Sequence, residues 1–102
     1  MSNDQLTAVL AERVMGWTVS PERFSTRNRE WMPRWRFQPA DNLDDAFRLL
    51  HKAAPQAYSI SADDRAAIHV QVRINGAVGE ARESSVPSAV TYAVARAIGV
   101  EV

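Results

Sequence analysis

Ala67-Ile68-His69-Val70-Gln71-Val72-Arg73-Ile74-Asn75-Gly76-Ala77-Val78-Gly79-Glu80-Ala81-Arg82-Glu83 is the stretch that decides the fold. Ile68, Val70, Val72 and Ile74 alternate with His69, Gln71 and Arg73, the period of two that sends apolar side chains to one face of a strand. Asn75-Gly76 supplies the two positive-φ residues of a type I′ turn, so the chain returns antiparallel through Ala77 to Glu83. In that register Ile74 faces Ala77, Val72 faces Gly79 and Val70 faces Ala81. Large residues meet small ones across the apolar face, which leaves room for a helix to lie close. On the other face Arg73 sits by Val78, Gln71 by Glu80 and His69 by Arg82.

The flanking segments fit this ribbon. Upstream, Tyr58 and Ile60 alternate with Ser59 and Ser61, and Asp63-Asp64-Arg65-Ala66 reads as the loop into the hairpin, which makes a three-stranded antiparallel meander. Downstream, Ser84 or Ser85 caps a helix with Pro87 in its first turn, an apolar stripe of Val86, Val90, Ala93, Val94 and Ala97, and an end near Gly99. Its small side chains suit a close approach to the sheet.

Before the meander two more helices are legible. Ser2 and Gln5 form a capping box for a helix over residues 3–15, where Leu6, Val9, Leu10 and Val14 recur at helical spacing. Gly16 is placed as its left-handed C′ residue, and Trp17 follows where a Schellman ending folds a hydrophobic side chain back, as a lid on the core packed on the stem of Glu12. Asn42 caps a second helix over residues 43–53, with Asp44 and Asp45 at the positive end of its dipole. The expected buried stripe there is Leu43, Ala46, Phe47, Leu50 and Ala54, and Pro55 stops it.

Residues 18–40 show no period. They read as a long irregular segment in which Phe24, Trp31, Trp35 and Phe37 are interleaved with five arginines against two glutamates. Trp35-Arg36-Phe37 alternates well enough for a short edge strand bounded by Pro33 and Pro39. The expected architecture is thus a single α/β (α+β) domain over residues 1–102. Its order is α, short β, α, β, β, β, α, with the helices packed on the meander.

Composition narrows function by exclusion. The formal net charge is zero, so no whole-molecule field draws the chain onto duplex nucleic acid, and no duplex partner is expected. Lys52 is the only lysine; an arginine bias favours bidentate and stacking contacts, and a GC-rich coding bias accounts for it equally. Without cysteine there is no disulfide, thiolate nucleophile or usual structural zinc site, which fits a reducing cytoplasm. No apolar run approaches the ~20 residues of a membrane span and the N-terminus has no basic region of a signal peptide, so no membrane association is expected.

Three segments resemble the phage ABA sandwich domain, a small family of phage and prophage proteins. Ala11-Glu12-Arg13-Val14-Met15-Gly16-Trp17 is similar to the family's acidic and basic pair followed by Val-Met-Gly-Trp. Phe37-Gln38-Pro39-Ala40-Asp41-Asn42-Leu43 is similar to the stretch opening its second helix, and Pro87-Ser88-Ala89-Val90 into Arg96 to its final helix. The chain departs from the pattern in lacking the cysteine often found in the last helix and in its arginine-rich aromatic segment. The resemblance implies helices against sheet, a phage or prophage origin in a bacterial host and no established activity.

Two groups of residues are candidates for binding. Trp31, Arg34, Trp35 and Arg36 combine aromatic faces with guanidinium forks, the pairing that anchors protein interfaces and also stacks bases and holds phosphate. His69, Arg73 and Arg82, with Gln71 and Glu80, mark the polar sheet face, which reads as a solvated or dimer-covered face or, less directly, an anion or general-base site. His51 reads as a helix-end cation, and no spacing of Asp41, Asp44, Asp45, Asp63 or Asp64 suggests a metal site. No catalytic residue and no cofactor is expected. The leading reading is a non-enzymatic binding protein whose partner is a host protein or a second copy of itself; the alternative is a small-molecule binder that sequesters a nucleotide signal.

Overall fold

The computed structural model describes residues 2–102 and contains three α-helices and two three-stranded antiparallel sheets. Helix α1 (Asn3–Arg13) begins with the expected capping box: the Ser2 hydroxyl accepts from the Gln5 N–H at 3.2 Å, and the Gln5 side chain accepts from the Ser2 N–H at 2.9 Å. Gly16 takes φ +73°, and the chain closes wider than a Schellman motif, the Trp17 N–H donating to the Ala11 carbonyl at 3.0 Å. The indole is nonetheless buried.

The meander forms as the alternation requires. Strands β4 (Ala57–Ala62), β5 (Ile68–Ile74) and β6 (Ala77–Glu83) pair in order, with Val72 opposite Gly79 and Val70 opposite Ala81. Asn75 and Gly76 have φ of 51° and 82°, as a type I′ turn demands, and the Gly76 N–H donates to the Gln56 side chain at 2.8 Å. The loop before β5 is built on Asp63. Its carboxylate accepts from the N–H groups of Arg65 at 2.8 Å and Ala67 at 3.0 Å; these bonds, helped by the Arg82 guanidinium at 3.4 Å, hold its pKa below the usual aspartate range.

Helix α3 (Val86–Ala97), capped by the Ser85 side chain, lies across β5 and β6 on the apolar face. A Cβ placed on Gly79 would sit 2.9 Å from the Ala97 Cα and closer still to the Ala97 nitrogen and the Ala93 carbonyl oxygen, so the helix backbone rests directly on the strand. The predicted stripe of α3 is too narrow. Ala89, Thr91 and Ala95 are buried as well, because α2 (Leu43–Ala53) packs on α3 away from the sheet, and α1 is tied to it by Tyr92 Oη donating to Asn3 at 2.9 Å and Arg13 donating to the Ile98 carbonyl at 3.0 Å. The Thr91 hydroxyl is buried with no partner among the described residues. An unsatisfied buried hydroxyl costs about 1–3 kcal/mol. Thr91→Val is therefore expected to raise the unfolding free energy by about 1 kcal/mol, measured by urea denaturation; an unchanged or lower midpoint would show that the hydroxyl is satisfied.

Two expectations are overturned here. The buried side of α2 is Ala46, Leu49 and Leu50, whereas Leu43 is 49% exposed and Ala54, in the left-handed conformation, is exposed too. The stripe is rotated because α2 buries itself against α3, a partner the helix's own periodicity does not specify. More important, residues 18–40 are irregular only in part. They form a second sheet, β1 (Thr18–Val19), β2 (Arg23–Ser25) and β3 (Trp31–Pro33), followed by a 3₁₀ turn at Arg34–Arg36. Strands of two or three residues are too short to display a period.

The 3₁₀ turn also replaces the edge strand expected at Trp35-Arg36-Phe37. In a strand Trp35 and Phe37 would share a face. Instead the turn sends Phe37 fully inward, where Trp17, Phe24 and Phe37 form an aromatic cluster with centroids 5.0–6.1 Å apart, and leaves Trp35 outside.

Candidate interaction surface

The register of the N-terminal sheet decides which side chains face solvent. Phe24 pairs with Met32 and Val19 and turns inward, so Arg23, Ser25, Trp31 and Pro33 share the outer face. Trp31 is 61% exposed there, with the Arg23 guanidinium 5.5 Å from its ring centroid. Trp35 is 69% exposed on the 3₁₀ turn, with the Arg36 guanidinium 5.8 Å from its ring. Pro21 lines both shallow hollows beside these rings, one of about 550 Å³ at Trp31 and one of about 240 Å³ at Trp35. Pro21 thus borders the hollows beside both tryptophans.

Arg34 has a different occupation. Its guanidinium stacks 5.5 Å from the Phe24 ring and donates to the Asp4 carbonyl at 3.1 Å, while its N–H donates to the Glu22 carbonyl at 3.3 Å. It locks the second sheet to α1. Pro21 was not singled out from the sequence as part of this surface; the signal that could have found it is the Ser20-Pro21 turn ahead of Arg23-Phe24-Ser25, whose alternation is one residue too short to stand alone.

The other candidates lie on the meander, on the face that α3 does not cover. The register makes three rows, Ala57–Arg73–Val78, Ser59–Gln71–Glu80 and Ser61–His69–Arg82. Within them His69 Nε2 meets Glu80 Oε1 at 2.7 Å, diagonally across the strands, and Arg82 turns to Asp63 instead of to His69. Arg73 lines a hollow of about 270 Å³ with Gln71 and Val78. The fold thus separates the predicted residues into two surfaces, Trp31, Trp35 and Arg36 on the N-terminal sheet and the turn after it, and His69, Arg73 and Arg82 on the meander. No helix is long and apolar enough to cross a membrane among the described residues.

Comparison with known proteins places this architecture. A search of curated proteins finds no match. Among solved structures, the 2.0 Å crystal structure of a phage protein from Bacillus cereus ATCC 14579 superposes with a TM-score of 0.80, over 100% of this chain and 92% of that one, at 15% sequence identity. At that identity the likeness is one of fold. The phage ABA sandwich domain matches residues 8–94, which takes in the second sheet, the meander and most of α3, and the chain belongs to that family.

Proposed function

We propose that this phage-family protein acts without catalysis, by binding a protein of the bacterial host through the Trp31–Pro21–Trp35 surface. The observation that carries the reading is the exposure of two tryptophans on a hydrogen-bonded sheet and turn, each ring already partnered by an arginine. Leaving such apolar area in water is unfavourable, and a rigid aromatic anchor loses little entropy when it docks. Tryptophan and arginine are the residues most enriched in the energetic centres of protein interfaces. Because guanidinium groups lie over both rings, the surface suits a protein better than a stacked base. The open face of the meander, with His69, Arg73 and Arg82 and the free edge of β4, supports self-association as a second mode.

Trp31→Ala and Trp35→Ala are each expected to weaken capture of the partner by roughly 30-fold, about 2 kcal/mol, in quantitative pull-down from host lysate, with the melting temperature unchanged. Arg73→Ala should leave that capture intact and lower any dimer fraction seen by light scattering. Equal capture by wild type and the double tryptophan variant would sink the proposal.

A further inference from the structure

A separate hollow of about 870 Å³ lies between α2 and the turn joining β2 to β3. It is within the roughly 300–1,000 Å³ typical of small-molecule sites. Its floor is Met15, Trp17 and Phe47, and two arginines converge on it from opposite sides. Arg48, on the exposed face of α2, lays its guanidinium 5.0 Å from the centroid of the Trp17 ring. Arg27, on the turn, reaches across Gly16: a Cβ on that residue would lie 3.2 Å from Arg27 Nη2 and 3.4 Å from its Nε. Both guanidinium groups are thus seated by adjacent residues, Gly16 and Trp17, through contacts that leave their charge uncompensated. Neither makes an ion pair among the described residues.

The geometry points to this hollow as a binding site for a small organic phosphate, its anionic group held by Arg27 and Arg48 and its flat apolar body laid against Phe47 and Met15. Guanidinium groups that are already ordered lose little freedom in gripping an oxyanion, and each presents a fork of donors matched to phosphate. Lys52, one turn beyond Arg48 on α2, adds a third cation to the rim. Glu30 and Asp44 stand on the same rim as acceptors, which favours a ligand that carries hydroxyl or amino groups besides its phosphate and disfavours a bare polyanion. A ligand of nucleoside monophosphate size meets all of these requirements. This site is distinct from the tryptophan surface, and neither reading depends on the other.

Titration of the full chain with adenosine 5′-monophosphate, followed by ¹H–¹⁵N NMR at the three indole N–H signals and the arginine Nε–H signals, tests the assignment. The Trp17, Arg27 and Arg48 signals are expected to shift, and those of Trp31 and Trp35 to stay. Arg27→Gln should weaken binding about tenfold and Arg48→Lys should do likewise, because lysine keeps the charge and loses the stacked fork; Arg36→Ala should have no effect. Arg27 is exposed, so its variant folds and remains informative if Arg48→Lys loosens the core. Inorganic pyrophosphate is expected to bind more weakly than the nucleotide. Absence of a Trp17 shift at about 10 mM nucleotide, roughly 10⁴-fold above a micromolar dissociation constant, overturns the proposal, as do shifts confined to Trp31 and Trp35 or undiminished binding by Arg27→Gln.

Discussion

Gly79→Ala is expected to cost more than about 3 kcal/mol, a large share of the roughly 5–15 kcal/mol that holds a domain of this size folded. The added methyl would meet the backbone of α3 at Ala93 and Ala97, and no rotamer change relieves a clash with main chain. Relief requires α3 to lift from β5 and β6, which uncovers Val70, Val72 and Ile74 and loosens the contact of α3 with α2. Ordinary overpacking, in which side chains can yield, costs about 1–3 kcal/mol. Urea unfolding monitored by far-UV circular dichroism measures the effect. Val78→Ala, on the uncovered face of the same strand, is the matched control and should change stability by less than about 0.5 kcal/mol. Comparable stability of Gly79→Ala and wild type would mean that α3 does not rest on the strand.

Phe24→Ala has the next largest expected effect, a loss of about 3–5 kcal/mol. The ring is fully buried between Trp17 and Phe37, and Arg34 lies over it while donating to α1, so its removal leaves a cavity where the N-terminal sheet, α1 and the loop into α2 meet. The same change should loosen the turn that carries Trp35, so binding through the tryptophan surface is expected to weaken even below the melting transition. Tryptophan fluorescence during denaturation reads both consequences, Trp17 reporting the cluster. A loss under about 1 kcal/mol would show that the second sheet is an appendage and not part of the core.

The two predictions concern sheets that differ in how plainly the chain announces them. Alternation over seven residues, closed by Asn75-Gly76, specified the hairpin to its register, because side-chain period and turn chemistry are local properties. Capping at Ser2, Asn42 and Ser85 placed the helix starts for the same reason. The tryptophan surface was legible in composition but not in shape: Trp31, Trp35 and Arg36 stood out as residue types, while Arg34 looked like one of them and instead braces α1. The hollow between Arg27 and Arg48 had no local signature, since it joins a helix face to a turn some twenty residues away.

By itself, then, the sequence determined the hairpin, the small-residue seat at Gly79 and Ala81, and the presence of three helices, one of them seated on it, since each depends on periods and caps contained within a dozen residues. Only the tertiary structure decided that residues 18–40 fold as a sheet, that α2 turns Leu49 rather than Leu43 inward, and which arginines are braces and which are free. Those outcomes depend on partners distant in the chain: two- and three-residue strands are stable only where Phe24 can reach Trp17 and Phe37, and a helix buries whichever face its neighbour presents.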